Sequence, residues 1–290
     1  MYLDNLEFLT MTNTRQVPVQ TLHLFLILDK MLIDLLNSLS DDQWNLPTIA
    51  RKWTVKDVVA HLVDGNLRNL STSRDRFFVK QEMAFHSYTD LVNHLNQLNH
   101  EWTDAAKRLS PSILIDMLEV FGKQYVDHLH TLHPFEKAIY SVAWAGQDVS
   151  ENWFHIAREY TERFIHQQQI RDSVGASGLM TKELFYPFIQ TLMYGLIPTF
   201  HKVEAEEGTS FKIVIASEIG GSWIIEKKDQ GWIFNQDLKK ELDVTLIIQP
   251  DIAWKLFSKG MTPVEAFPFV EIMGDVELAS NALNMVSVMA

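Results

Sequence analysis

The chain has 290 residues, 47% of them hydrophobic and 21% charged, with a formal net charge of −12. That length favours two domains over one and supplies a substantial core. The acidic balance, shared equally between residues 1–180 and 181–290, argues against a nucleic-acid phosphate backbone as partner.

Cysteine is absent, which excludes disulfides, thiolate metal sites and a cysteine nucleophile. Any metal must be held by His, Asp and Glu, and any thiol chemistry must import its thiol. No run approaches the roughly 18 apolar residues of a membrane span; "LFLILDKMLIDLL" is interrupted by Asp29, Lys30 and Asp34. The first ten residues carry no basic leader, so no secretory signal is expected and the location is read as cytoplasmic. Residues 1–16 read as a weakly ordered lead-in, with Met1 and Met11 both usable as starts.

From there the first part reads as helices. "VPVQTLHLFLILDKMLIDLLNSLS" has helical apolar spacing with Pro18 suited to a first turn. "TVKDVVAHLVDGNLRNLSTSRDRF" opens on Thr54, a natural N-cap. "SYTDLVNHLNQLNHEWTDAAKRLS" and "SPSILIDMLEVFGKQYVDHLHTL" each open on a serine. "HPFEKAIYSVAWAGQDVS" reads as a long loop, after which Ser150 can cap "ENWFHIAREYTERFIHQQQIRDSVG". Four or five long helices with short turns imply an antiparallel four-helix bundle.

The glycine and serine stretch "DSVGASGLMT" marks the boundary, dividing the chain into domains 1–178 and 179–290. One helix, "KELFYPFIQTLMYGLIPTFHKV", leads into alternating segments. Phe211, Ile213 and Ile215 share one face of a strand, as do Val244, Leu246 and Ile248. "SWIIEKKDQGWIF" reads as a hairpin around Asp229 to Gly231, and Gly220–Gly221 as a turn. Two helices, "DIAWKLFSKG" and "VELASNALNMVSVMA", close an α+β domain with a small sheet.

The helix at 151–175 carries His155, Glu159, Glu162 and His166. Glu162 and His166 are four apart, so they are neighbours on a helix and can share one ion. Phe154, Ala157, Tyr160, Thr161 and Phe164 lie on the opposite side, and an ordinary helix with water on its polar face has the same pattern. In "VKDVVAHLVDGNLRNLS", His61 flanks the apolar face beside Asp57, Asp64 and Arg68. It is either a border histidine bonded to an aspartate, or the third member of a His61, Glu162 and His166 set. Two histidines, a carboxylate and an open position suit catalytic zinc. The cluster His128, His130 and His133 reads as a helix end, where the dipole favours histidine. His94, His100 and His201 read as surface or border residues.

"WTVKDVVAHLVDGNLRNLS" and "NWFHIAREYTERFIHQQQIRDSVG" resemble the two signature segments of the mycothiol-dependent maleylpyruvate isomerase family, one of the DinB-like metal-binding helical bundles. "AWKLFSKGMTPVEAFPFVEIMGDVELASNALNMVSVMA" resembles its second domain, of sterol-carrier type. The resemblance covers nearly the whole chain from about Pro18. It implies a DinB-like four-helix bundle joined to an α+β domain, with the cleft between them. By motif position the metal ligands fall on His61, Glu162 and His166, usually for zinc, with nickel an ion acquired on purification. Asp57 or Asp64 would orient His61 from behind. The implied partners are a small-molecule substrate and a low-molecular-weight thiol such as mycothiol, ionised at the metal for an isomerase- or transferase-like reaction. The family's C-terminal arginine has no counterpart here, since no arginine follows Arg171 and Lys255 and Lys259 are among the cations left. This points away from maleylpyruvate itself as substrate. The alternative expectation is a non-catalytic protein holding a hydrophobic ligand between "LFYPFIQTLMYGLIPTF" and "AFPFVEIM".

Overall fold

A computed structural model describes residues 15–50, 52–79 and 87–288. The expected lead-in at 1–16 therefore lies outside the described residues, except for Arg15 and Gln16. Arg15 is anchored on Glu151 at 2.6 Å.

Helix α1 (Phe25–Ser38) buries Phe25, Leu28, Leu32 and Leu36, one apolar stripe at helical spacing. It begins beyond Pro18, after a short 3-10 turn at Leu22–Leu24. Helix α2 (Val55–Asn69) is opened by a capping box in which Thr54 and Asp57 satisfy each other's backbone N–H. Ser87 and Ser110 cap α3 (Tyr88–Ala106) and α4 (Pro111–Leu129). Helix α5 (Asn152–Val174) ends at Gly175, whose φ of 70° suits glycine. Helices α1, α2, α4 and α5 pack as the expected bundle, with α3 laid against α2.

Ser150 does not cap α5. The N-cap is Glu151, and the Ser150 hydroxyl instead accepts from Val142 N at 2.8 Å and donates to Gln147 at 2.6 Å. It ties down the preceding loop rather than the helix.

The single helix expected from 182 is broken. Helix α6 (Lys182–Leu192) gives way to a 3-10 turn at Met193–Gly195 and then to α7 (Leu196–Phe200). A Cβ at Gly195 would lie 2.7 Å from the Ser287 hydroxyl, and Pro198 removes a helix donor. Strands β1 (Ser210–Ile215), β2 (Gly221–Lys228), β3 (Gly231–Phe234) and β4 (Val244–Ile248) follow. After α8 (Pro250–Phe257) and α9 (Pro263–Ala266) come β5 (Val270–Met273) and α10 (Val276–Leu283). The sheet order is β3-β2-β1-β4-β5; β1 and β4 are parallel and the other pairs antiparallel. The fold is thus a helical bundle followed by an α+β region with a five-stranded mixed sheet.

One hydrophobic cluster runs from Phe25 on α1 through Phe164 on α5 and Phe188 on α6 to Phe211 on β1 and Trp254 on α8. Phe164 and Phe188 stack with centroids 4.2 Å apart. Phe185 and Phe188 of the aromatic helix are fully buried in this core, whereas Phe267 and Phe269 are exposed; the two segments do not share a common lining role. Among the described residues no helix is long and apolar enough to cross a membrane.

Candidate metal centre

Helix α5 has almost no water-facing side. Besides its aromatic stripe, it buries His155, Glu159, Gln167, Gln168, Gln169 and Arg171. The amphipathic pattern allowed a solvated face, but α5 is central: α1, α2 and α6 all pack on it. Its polar groups therefore need protein partners rather than water.

One such partner is the flank of α2. Val58, Val59 and Val63 are fully buried in the bundle, which rotates His61 toward Glu162 and His166. Ligand atoms of His61, Glu162 and His166 all lie within 4.8 Å of one another, the only such group among the described residues. His166 Nε2 is 3.4 Å from Glu162 Oε2, and the two imidazole centroids are 4.7 Å apart at 73°. The indole of Trp53, just ahead of the α2 cap, lies 4.7 Å from the His61 ring and 6.1 Å from the His166 ring.

At His61 and Glu162 the electrostatics favour the ligating protonation states. Burial, reinforced by positive charge at His166, lowers the His61 pKa to about 3, so its ring is neutral. Burial works against the Glu162 carboxylate. Hydrogen bonding to His166, with positive charge at His166 and Arg158, outweighs it and holds that group at about 2. A neutral imidazole and an ionised carboxylate are the forms that bind a cation. His61 Nδ1 is buried without a hydrogen-bond partner, a polar atom the protein itself leaves unsatisfied. The donor set of two nitrogens and one carboxylate oxygen fits zinc with an open position.

The sequence did not single out Gln169 or Trp53. Gln169 Oε1 lies 2.9 Å from His166 Nδ1. As acceptor it takes the proton on Nδ1, so Nε2 is the ring atom turned toward Glu162 and His61. The only prior signal was three-residue spacing inside a run of glutamines. The two aspartates expected behind His61 are engaged elsewhere. Asp57 Oδ2 accepts from the Thr54 backbone N–H at 2.9 Å, and Asp64 pairs with Arg68 at 2.8 Å.

Residues flanking the centre form their own network. Glu159 accepts from Arg158 and, at 3.1 Å, from Asn69. His155 is fully buried with Arg158 3.4 Å from its Nδ1. The other histidine cluster is dispersed: His128 Nε2 meets Ser73 Oγ at 2.7 Å, while His133 packs against Phe135. On the sheet side, Lys255 of α8 is 3.5 Å from Asp172 of α5 and 3.1 Å from Asp251. Asp172 lies about 9 Å along α5 from His166 by helical rise. The loop before α2 also reaches the end of α8, where a Cβ on Gly260 would be 3.1 Å from Ile49.

Comparison with known proteins gives the family. The family model described as the mycothiol maleylpyruvate isomerase N-terminal domain matches residues 26–171. No curated protein matches the sequence. Among solved structures, a histidine-to-alanine mutant of the mycothiol-dependent maleylpyruvate isomerase is similar over 88% of this chain and 92% of its own, with a TM-score of 0.51 and 11% identity. The structure of that isomerase without the mutation covers 83% and 88%, with a TM-score of 0.49 and 11% identity. Sterol Carrier Protein 2 Like 2 from Aedes aegypti covers 34% of this chain and 95% of its own, at 18% identity and a TM-score of 0.26. At such identities the likeness to the isomerase structure is one of fold. The family match spans half of the chain and includes all three clustered residues, and the chain belongs to the mycothiol maleylpyruvate isomerase family.

Proposed function

We propose that the protein is an enzyme that holds one divalent ion, zinc, through His61, Glu162 and His166 and works with a small imported thiol. The observation that carries this reading is the convergence of two imidazoles and one carboxylate from two helices, with the His61 ring neutral and Glu162 ionised. When bound, the ion supplies Lewis acidity that ionises a coordinated thiol near neutral pH. A chain without cysteine needs such a cofactor for thiol chemistry, and relatives of the same fold include a mycothiol-dependent enzyme. Cytosol, where small thiols stay reduced, is the fitting compartment.

The chain's own residues position the reaction. Gln169 fixes the His166 ring, and the Trp53 indole packs beside both histidine rings, excluding water from them. Asp57 and Asp64 we assign to the α2 cap and the Arg68 pair. The reaction class is addition of the thiol to an activated double bond, followed by its loss as isomerisation or its retention as transfer. The metal belongs to residues 1–178, and residues 179–290 close the substrate side. There the candidate cation Lys255 is held by two carboxylates and no arginine is available. We therefore assign a substrate less anionic than maleylpyruvate, since a lysine already paired is a poor substitute for a bidentate arginine.

The test is elemental. Purified protein should carry about one zinc per chain and gain thermal stability from added zinc, and His166→Ala should lose both. Protein that neither retains zinc nor responds to it overturns the reading. In cobalt-substituted protein, the visible spectrum should change on adding mycothiol; an unchanged spectrum removes the thiol from the proposal.

A further inference from the structure

Of the twelve glycines, Gly65 is the one with neither a positive φ nor a neighbour within 4 Å of an added Cβ. It sits in the middle of α2, where glycine is less favourable than alanine. His61 and Asn69, one turn to either side, share its face. Both are turned to α5. The His61 and His166 ring centroids are 4.7 Å apart, and Asn69 Nδ2 donates to Glu159 at 3.1 Å. The two helices therefore run antiparallel, with Gly65 level with Glu162. The open space over Gly65 is thus a gap in the seam between α2 and α5, with the candidate metal ligands at one end. Glu162 keeps 27% of its side chain exposed, so the helices do not close over the centre at this level.

Polar groups stand at the other end. Arg158 Nη2 donates to Glu159 Oε1, and Asn69 Nδ2 to Glu159 Oε2. Arg158 Nη1 and Asn69 Oδ1 have no hydrogen bond among the described residues, and neither is among the enclosed unpartnered atoms. One donor and one acceptor are left over within reach of water. The charges at this level are paired: Arg158 with Glu159, Arg163 with Asp29, Arg68 with Asp64, and Glu162 with His166. Arg68 also reaches Asn99 on α3.

We infer, on the basis of the proposed metal and thiol, that this gap holds the neutral polar body of that thiol, a hydroxyl- or amide-bearing chain that passes Gly65 and reaches Asn69 and Arg158. Gly65 lies about 6 Å along α2 from His61, and Asn69 about 12 Å, so a body one to two helical turns long spans the gap. Neutrality follows from the pairing. The dication is balanced by Glu162 and a thiolate, and a further charge on the ligand would be desolvated without an opposite partner. A hydroxyl or an amide both donates and accepts, which matches Asn69 Oδ1 and Arg158 Nη1 together.

The test uses the cobalt-substituted full chain, read by its visible spectrum, with three thiols. N-(2-mercaptoethyl)gluconamide carries a long neutral polyol, 2-mercaptoethanol almost no body, and glutathione a charged one. The gluconamide should bind about tenfold more tightly than 2-mercaptoethanol, and glutathione should show no such advantage. Gly65→Leu fills the gap with a good helix former and should remove that advantage, with metal content and helical circular dichroism showing that the bundle stands. Should the variant lose its metal, nuclear Overhauser contacts from the polyol to the Gly65 α protons of the unmodified zinc protein replace it. A response to 2-mercaptoethanol with no gain for the gluconamide overturns the inference and leaves the metal and thiol reading intact. So does an advantage that survives Gly65→Leu, tighter binding of glutathione, or absence of the Gly65 contacts. Silence toward all three probes overturns it as well, whereas the thiol reading falls only if mycothiol also leaves the spectrum unchanged.

Discussion

Gln169 accepts from His166 Nδ1 at 2.9 Å, while Asp57 closes the cap at the start of α2. Both lie one turn from a clustered residue, yet their tasks differ and substitutions should separate them. Gln169→Leu removes the group that orients the His166 ring, so zinc affinity should fall about 10–100-fold with little change in helix content. Asp57→Ala should do the reverse, lowering stability by about 1 kcal/mol through the lost cap while zinc affinity holds. Competition titration against a chelator reads the first effect and urea unfolding the second. At this scale Glu162 and His166 were legible because four-residue spacing places them together on any helix. His61 needed a second segment and a resemblance. Gln169 and Trp53 were not legible, because their roles depend on ring rotation and on a loop folding back over two helices.

Among the elements, β1 and β4 are joined by more than their ladder. Asp243, at the start of β4, accepts from Ser210 N at 2.8 Å and Ser210 Oγ at 2.6 Å, and from Lys240 at 3.0 Å. The Ser210 bonds, with Lys240 adding to them, lower its pKa from 3.8 to about 2. A depressed carboxylate stabilises the fold above its unfolded pKa, and that contribution disappears as pH falls from about 4 toward 2. Asp243→Asn should therefore flatten the acid side of the melting-temperature profile in that window and leave its neutral shape unchanged. A modest effect is expected, because the side chain is 49% exposed and solvent screens it. The sequence shows β1 and β4 through clean alternation of buried residues. It hides β5, whose four residues form a half-exposed edge strand too short for a period to register. It also hides the break in α6, because the crowding at Gly195 comes from Ser287, far along the chain.

For the molecule as a whole, the core that links bundle and sheet decides how the protein unfolds. The composition break near residue 178 suggests two units, and independent units would each close a core of their own. The bundle does close one cluster of its own, from Leu32 on α1 through Val59 on α2 to Leu118 on α4, but the larger cluster passes from α1 and α5 through α6 into the sheet, with Phe188 stacked on Phe164 at its centre. Loss of either region would expose this shared surface, so both should melt in one transition. Helical circular dichroism and the fluorescence of Trp223 and Trp232, on β2 and β3, should then have the same midpoint. Phe188→Ala removes the central contact at a cost of about 3–5 kcal/mol and should lower both signals together. Zinc, bound as proposed, would extend the same coupling. The proposed ligands sit on α2 and α5, and an ion that binds only the folded state at about 1,000 times its Kd would add about 4 kcal/mol. If the core transmits that stabilisation, zinc should slow amide exchange in β1 and β4 as well as in the bundle, and chelation should reverse it. Exchange that slows in the helices alone would mean the sheet opens independently of α5.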